Sequence, residues 1–158
     1  MITEHDPFLI FFNAHGSQYS IKGIDGETDI VTRCKNDHLL KDRIVYALSC
    51  HTFSILGHSA KNKGCKCYIG YNNEFRFPFL ELNEDKVFDD EISEPFMRVS
   101  NEIMFSLLRG KSPEEAYTNS QKLIDEFIDF YQKREKYESS TIIRWLRVIK
   151  NIQVMVAQ

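Results

Sequence analysis

Two short apolar runs constrain the fold of this chain more than any other feature of its sequence. They are residues 8–12 (FLIFF) and residues 44–48 (IVYAL), and neither alternates between apolar and polar positions. A run of this length is shorter than a typical helix, and the lack of alternation is typical of a strand that is covered on both faces in a parallel sheet. We therefore predict that both runs are buried strands.

A turn signal lies between the two runs. Residues 19–32 contain Gly23 and the pair Asp25-Gly26 between short β-prone stretches. This arrangement is typical of a β-hairpin. We expect a hairpin here, with its acidic side chains in solvent.

The elements after the second run predict a βαβ unit. A helix with Leu56 and Ala60 on its inner face is expected to end at Gly64, because glycine is common just past the last turn of a helix. A third strand is expected directly afterwards, over residues 67–71. Strands joined by such a crossover are parallel, so residues 44–71 predict the α/β class.

The second half of the sequence has the apolar period of helices from Glu94 onward. Ser112 and Pro113 supply an N-cap and a first-turn proline, and Glu115 completes a capping box, so a helix is expected to begin there. Its predicted inward residues are Ala116, Leu123, Phe127 and Phe130.

No linker, internal repeat or low-complexity tract divides the chain. We therefore expect a single domain over residues 1–158. Its strand-rich half is expected over residues 1–80, and its helical half over residues 94–156.

Composition and charge exclude several classes of function. Lys and Arg together number 20 and Asp and Glu 23, and the resulting net charge of -3 is scattered along the chain, with no basic stripe for nucleic acid. The longest apolar run is far shorter than the roughly 20 residues of a membrane helix, and no secretory signal is found. The four cysteines are therefore expected to be reduced thiols of a cytoplasmic protein that binds neither nucleic acid nor membranes.

A histidine and a cysteine follow the two predicted buried strands. His15 comes shortly after residues 8–12, and Cys50 shortly after residues 44–48. The carboxyl ends of neighbouring parallel strands meet at one edge of a sheet, so the two side chains are expected to lie side by side. A thiol must lose its proton to attack a carbonyl carbon, and an adjacent imidazole can accept that proton. We therefore predict that Cys50 is a nucleophile and His15 its general base.

Backbone groups beside this pair are expected to stabilise negative charge. Cys50 precedes the predicted helix, whose N-terminal N–H groups would favour a thiolate and a developing oxyanion. Gly16 follows His15, and a residue without a side chain lets the backbone approach a substrate carbonyl. Taken singly, a cysteine commonly fills a core and a histidine commonly lies at the surface. Their joint position, flanked by Gly16 and Ser49, favours the paired role.

A zinc site is the alternative use of the cysteines. Cys65 and Cys67 could bind zinc together with Cys34 and one histidine, for which the candidates are His38, His51 and His58. Structural zinc sites usually separate the two ligands of a pair by two to four residues, and Cys67 falls inside a predicted strand. The spacing therefore disfavours zinc, and no metal or other cofactor is expected.

Four segments share their order with a known protein family: residues 11–16 (FFNAHG), 44–50 (IVYALSC), 56–57 (LG) and 64–71 (GCKCYIGY). A strand that ends in His-Gly is followed by a strand that ends in Ser-Cys, then by a helix and a glycine-containing return strand. In this pattern the chain resembles the caspase-like superfamily of cysteine proteases, and especially the bacterial CHAT domains. The resemblance covers most of residues 8–77.

The resemblance implies a caspase-like three-layer fold with a mostly parallel sheet. It implies a cysteine endopeptidase that hydrolyses peptide bonds of a protein or peptide substrate through an acyl-enzyme, with no metal or cofactor. Under it, Cys50 would be the nucleophile, His15 the base, and the backbone N–H groups of Gly16 and Cys50 the oxyanion hole. It also implies a regulated bacterial effector of defence or cell-death type, which a sensor domain or partner triggers.

The sequence departs from the family before His15. The family's sheet has two strands ahead of the histidine strand, whereas this chain reaches His15 almost immediately. The fold is therefore expected to be truncated at the N-terminus, with an apolar sheet edge beside residues 8–12, which soluble proteins avoid. We expect a fold-completing or activating partner protein, or self-association. The alternative function is a catalytically silent caspase-fold module that acts by binding its partner.

Acidic side chains are the candidates for a substrate-specificity pocket. They are Asp25, Glu27 and Asp29 after the histidine loop, and Asp89 and Asp90 later in the chain. Any of them could bind a basic side chain of a substrate, although charged loop residues are commonly just solvated. We predict Asp25 and Glu27 as substrate-binding residues.

Overall fold

The computed structural model describes residues 7–76, 92–134 and 137–157. Asp89 and Asp90, the alternative candidates for substrate specificity, lie outside the described residues. That the fold is truncated at the N-terminus relative to the family stays a prediction.

The described chain divides into two compact units, one that extends to Phe75 and resumes at Ile152, and one from Arg76 to Asn151. In chain order the elements of the first unit are β1 (Leu9–Asn13), β2 (Ser20–Lys22), β3 (Asp29–Thr32), a 3₁₀ turn (Asp37–Leu40), β4 (Ile44–Leu48), a π-helical turn (Phe53–Gly57), α1 (His58–Asn62), β5 (Cys67–Tyr71) and β6 (Gln153–Ala157). The remaining helices are α2 (Glu94–Leu108), α3 (Pro113–Gln132) and α4 (Tyr137–Ile152).

Four strands of the first unit form one sheet in the order β1-β4-β5-β6. The strands β1, β4 and β5 are parallel to one another, and β6 is antiparallel to β5. The strands β2 and β3 form a separate antiparallel hairpin. The predicted α/β class, the mostly parallel sheet and the hairpin are therefore confirmed, as is the crossover from β4 through α1 to β5.

One face of this sheet carries the core of the first unit. Successive side chains of a strand point to opposite faces, so alternate residues of each strand contribute. The core includes Ile10, Val45, Ala47 and Tyr68 from the sheet, Ile21 and Val31 from the hairpin, and Leu56 and Ala60 from the helical segment. A fully buried aliphatic side chain contributes about 1.5 to 3 kcal/mol. Because a helix as short as α1 is unstable alone, this packing is what maintains it.

Buried polar groups link the strands on the opposite face. The hydroxyl oxygens of Tyr46 on β4 and Tyr71 on β5 are 3.1 Å apart, and the Gln153 Nε2 of β6 donates to the Tyr71 hydroxyl at 3.3 Å. The ring of Phe11 on β1 contacts Tyr46 edge to face, with 6.4 Å between ring centroids. Burial raises the pKa of Tyr71 to about 12, so the hydroxyl stays protonated and able to donate.

The strand β6 corrects the prediction of a helical half that extends to residue 156. The helix α4 ends at Ile152, and the next five residues pair with β5 instead. Val154 and Val156 pack against the core of the first unit. No glycine or proline marks the change from helix to strand, so the sequence carries no local stop signal at this boundary. The pairing with β5, which is distant in sequence, decides the structure.

The helices of the second half follow the predicted period. Ser112 and Glu115 form the predicted capping box at the start of α3, which is confirmed. The prediction that Phe130 faces inward is wrong, since this side chain is 45% exposed. The buried residues of α3 are Ala116, Ser120, Ile124, Ile128 and Tyr131. Ser120 is buried because its hydroxyl donates to the Val99 carbonyl of α2 at 2.9 Å.

Among the described helices, none is long and apolar enough to cross a membrane.

A buried carboxylate, Asp37, connects the 3₁₀ turn to α1. The Ser59 hydroxyl donates to it at 2.6 Å and the Lys63 ammonium at 2.5 Å. Burial alone would raise the pKa of Asp37, but the hydrogen bonds from Lys63 and Ser59 outweigh this effect and lower it below its ordinary value. The carboxylate therefore favours the folded state only while it is ionised.

We expect Asp37→Asn to lower the free energy of unfolding by about 2 kcal/mol at neutral pH, because the charge-assisted hydrogen bonds are lost. The folded-state pKa of Asp37 lies below that of the unfolded chain. The contribution is therefore present above about pH 4 and is lost as the pH falls through the folded-state pKa. Urea unfolding of wild type and variant at neutral and acidic pH measures both effects.

The matched control is Asp125→Asn. Asp125 pairs with Lys150 at the same 2.5 Å, but its side chain is 56% exposed, whereas that of Asp37 is fully buried. Exposed pairs are worth at most about 1 kcal/mol. Equal losses of stability in the two variants at neutral pH would contradict the role assigned to Asp37.

Candidate active site

The two predicted catalytic residues follow the ends of neighbouring strands. In the parallel pairing of β1 with β4, Asn13 is the register partner of Leu48. The Ala14 N–H donates to the Leu48 carbonyl at 3.2 Å and extends the pairing by one residue. His15 and Cys50 each lie two residues beyond this matched pair. The structure therefore brings both residues to the same edge of the sheet, side by side in sequence register.

Gly16 lies directly against the backbone that carries Cys50. If Gly16 had a side chain, its first carbon would lie 2.7 Å from the Cys50 carbonyl oxygen and 2.6 Å from the Thr52 methyl group, and it would overlap the Ser49 hydroxyl. Separations this short are not tolerated between non-bonded atoms. A glycine is thus required for the loop after β1 to approach the loop after β4.

The hairpin contacts both the backbone and the side chain of His15. The Lys22 N–H donates to the His15 carbonyl at 2.9 Å, so the loop after β1 pairs with β2. The turn residue Gly26, with a φ of +71°, is close to the imidazole: a first side-chain carbon there would be 3.7 Å from His15 Cδ2. The Leu56 N–H donates to the Gln18 carbonyl at 3.0 Å and ties the same loop to the helical turn after Cys50.

The predicted substrate-binding residues lie in this hairpin turn. The Asp25 carboxylate accepts the Thr28 hydroxyl at 2.5 Å and the backbone N–H groups of Thr28 and Glu27 at 2.9 and 3.0 Å. The Thr28 hydroxyl, followed by these N–H groups, lowers the pKa of Asp25. Asp25 thus stabilises the turn that adjoins His15, and the Glu27 side chain is exposed.

Two backbone N–H groups at the site have no acceptor among the described residues. In the antiparallel bridge between Gly16 and Ile21, the hydrogen bonds are made by the neighbours of Gly16: the His15 carbonyl accepts and the Ser17 N–H donates. Within the described part of the chain, neither the Gly16 N–H nor the Cys50 N–H donates a hydrogen bond. These are the two groups predicted to form an oxyanion hole.

The surroundings of Cys50 include a contact that the sequence analysis missed. Its side chain is half-buried, and its Sγ accepts a hydrogen bond from the Phe75 N–H at 3.4 Å. His51, the next residue, has a φ of +62°, which is unusual for a residue with a side chain. The predicted helix begins at Phe53 as the π-helical turn and continues through α1. Backbone donors such as the Phe75 N–H leave no signature in a sequence.

The residues of the alternative zinc site are in unrelated environments. Cys65 Sγ donates to the carbonyls of Arg43 at 3.4 Å and of Cys67 at 3.2 Å, and Cys34 is exposed. Burial raises the pKa of Cys65 to about 11, which opposes the thiolate form that zinc requires. In the three described ranges, no three His, Cys, Asp or Glu side chains are grouped as metal ligands would be.

We expect Gly16→Ala to lower the free energy of unfolding by about 2 kcal/mol, because the added methyl group fits only if the loops after β1 and β4 separate. Gly23→Ala is the control, since the nearest atom to the carbon added there would be the Asp25 Oδ1 at 3.1 Å, and the Thr28 atoms would be at 3.5 and 3.7 Å, in ordinary contact. Its stability should stay within about 1 kcal/mol of wild type. Urea unfolding compares the variants, and equal stability of both would exclude a steric requirement for glycine at residue 16.

Comparisons with known proteins identify no relative of this chain. No family model matches it, and neither a curated protein nor a solved structure does. The resemblance to caspase-like proteases therefore depends on the motifs around His15 and Cys50 alone. The function of the site has to be derived from its own residues and their geometry.

Proposed function

We propose that the chain is a caspase-like cysteine endopeptidase in which Cys50 and His15 form the catalytic dyad. The observation that carries the proposal is the register of β1 and β4, which brings the loops of His15 and Cys50 to one sheet edge with Gly16 in close contact between them. Reactive groups of open α/β sheets gather at this edge. The proposed substrate is a protein or peptide, and the proposed setting is a regulated bacterial effector of defence or cell-death type.

The first step of the proposed reaction forms an acyl-enzyme. His15 accepts the thiol proton of Cys50, and the thiolate attacks the carbonyl carbon of the scissile peptide bond. The carbonyl oxygen becomes an oxyanion, which the N–H groups of Gly16 and Cys50 stabilise. As the carbon–nitrogen bond breaks, the His15 imidazolium gives its proton to the leaving amine. The products are an amine and a thioester on Cys50.

The second step releases the acid. His15, now neutral, accepts a proton from a water molecule as that water attacks the thioester carbonyl. The same two N–H groups stabilise the second oxyanion. The carbon–sulfur bond then breaks, and the proton on His15 returns to the Cys50 sulfur. Every proton transfer in the cycle uses a side chain of the dyad, so the mechanism requires no metal or cofactor.

We expect wild type to cleave members of a peptide library, and Cys50→Ala and His15→Ala each to lower kcat/KM by at least about a thousandfold, because a dyad acts as a unit. Cys34→Ala is the control: this thiol is also free, but it is exposed and outside the site, so cleavage should be unchanged. Cleavage that persists in Cys50→Ala would refute the mechanism.

A second candidate function is a catalytically silent module that binds a partner strand, and the edge of β1 favours it. In the described sheet β1 is an edge strand. The Ile44 N–H donates to the Phe8 carbonyl, and the Ala14 N–H to the Leu48 carbonyl, so even-numbered residues of β1 bond to β4. The backbone groups that point away from β4 belong to Leu9, Phe11 and Asn13. Such a row of unpaired groups is a template for a further strand.

We expect the protein to self-associate through this edge, and Leu9→Pro to abolish the association. The Leu9 N–H points away from β4, so proline removes an edge donor without breaking the ladder inside the sheet. Light scattering over a range of protein concentrations measures the association, and thermal unfolding checks that the variant is folded. Wild type that stays monomeric at all concentrations would exclude self-pairing. Association together with an absence of any protease activity would favour the silent module.

A further inference from the structure

The chain that leaves β5 lies on the turn that carries Cys50. We refer to residues 72–75 as the post-β5 segment. The His51 N–H donates to the Asn73 carbonyl at 3.1 Å, and the Ser54 hydroxyl donates to the Asn72 carbonyl at 3.2 Å. Two consecutive carbonyls of the segment are therefore bonded to residues that follow Cys50.

The same segment directs a backbone donor at the nucleophile. The Phe75 N–H donates to Cys50 Sγ at 3.4 Å, and the Phe75 ring contacts Tyr71 with 4.8 Å between ring centroids. A hydrogen bond donated to sulfur favours the thiolate over the thiol, because the negatively charged sulfur is the better acceptor. The Phe75 N–H therefore lies where it would stabilise negative charge on the Cys50 sulfur.

A side-chain pair lies beside this contact. His51 Nε2 is 3.9 Å from Glu74 Oε1, and the Glu74 N–H donates to the Asn73 side-chain oxygen at 2.8 Å. His51 also has a left-handed backbone conformation, with a φ of +62°. Strained backbone of this kind persists where surrounding contacts maintain it, and it is concentrated at functional sites. The contacts here are those of the post-β5 segment.

We propose that His51 and Glu74 are positioning residues for Cys50. The Glu74 carboxylate attracts the His51 imidazole, whether through an Nε2–H or through its positive charge, and this holds the post-β5 segment on the Cys50 turn so that the Phe75 N–H stays directed at Sγ. The pair acts through the backbone of Phe75 and not on a substrate. The inference rests on the proposed role of Cys50 as nucleophile, but its test needs no substrate.

The test is the rate at which iodoacetamide alkylates Cys50, followed by peptide mass spectrometry from about pH 5 to about pH 10. We compare wild type with Glu74→Gln, which removes one charge, and with His51→Asn, since asparagine tolerates a positive φ. We expect alkylation at neutral pH to slow by up to about fivefold, which is the range expected for an ion pair as exposed as this one. The pH at which the alkylation rate increases should be higher in the variants than in wild type. At the alkaline end of the range, the variants and wild type should react at the same rate.

The shape of the profile separates positioning from simple access. A looser segment that only exposed Cys50 would raise the rate by the same factor at every pH and leave the rise in place. Apart from Cys50, the titratable side chains on the described segments around it include Lys22, Asp25, Glu27 and Asp29 of the hairpin, then His15 and His58, and last His51 and Glu74. Because the variants alter only the last two, a displaced rise reports on that pair. If the alkylation rate of both variants increased at the same pH as that of wild type, the proposal would be overturned.

Two further variants test the donor itself. Phe75→Pro removes the N–H together with the ring, whereas Phe75→Ala removes the ring and keeps the N–H. Only Phe75→Pro should displace the rise of the alkylation rate, and identical profiles for the two variants would overturn the proposal. Glu126→Gln, which changes the same charge at an exposed position of α3, should leave the wild-type profile unchanged.

The outcomes for this inference and for the proposed function are separable. An inactive protein with a displaced alkylation profile would refute proteolysis and retain the positioning role of His51 and Glu74. A protein that cleaves peptides through Cys50, with no displacement in any variant, would retain the protease and refute the positioning role.

Discussion

The parallel pairing of β1 with β4 is the constraint on which the candidate site depends. Because Asn13 is matched with Leu48, the loops that carry His15 and Cys50 leave the sheet at the same level. A shift of one residue in this register would turn every side chain of β1 to the other face. Burial of Ile10 on the core face opposes such a shift. Core packing on one face of the sheet therefore fixes the relative position of the loops that carry His15 and Cys50.

Much of the fold could be predicted from the sequence because its determinants are local. The run over β5 has no alternation, and all of its residues are buried, as expected for a strand covered on both faces. The capping box of Ser112 and Glu115 is a pattern of neighbouring side chains and backbone. Other features depend on residues that are distant in sequence and could not be predicted. The strand β6 forms because it pairs with β5, which lies about 80 residues earlier in the chain. Ser120 belongs to the buried face of α3 because a carbonyl of α2 accepts its hydroxyl.

The same distinction applies to the site. The positions of His15, Gly16 and Cys50 at the end of the sheet could be predicted because each follows a recognisable strand within three residues. The role of Asp25 in holding its own turn follows from bonds to Glu27 and Thr28, two and three residues later, and an Asp-Gly turn is a known context for such bonds. The donor from Phe75 could not be predicted, because any residue supplies a backbone N–H and only the path of the chain after β5 brings this one to the sulfur.

The helical turn after Cys50 supports both halves of the proposed dyad, and its irregular geometry is what allows this. In an α-helix the Leu56 N–H would donate to the Thr52 carbonyl. In the π-helical turn that carbonyl instead accepts the Gly57 N–H at 2.9 Å. The Leu56 N–H is thereby released and donates to the Gln18 carbonyl, in the loop that carries His15. A single widened turn thus connects the loop of the proposed base to the segment that carries the proposed nucleophile.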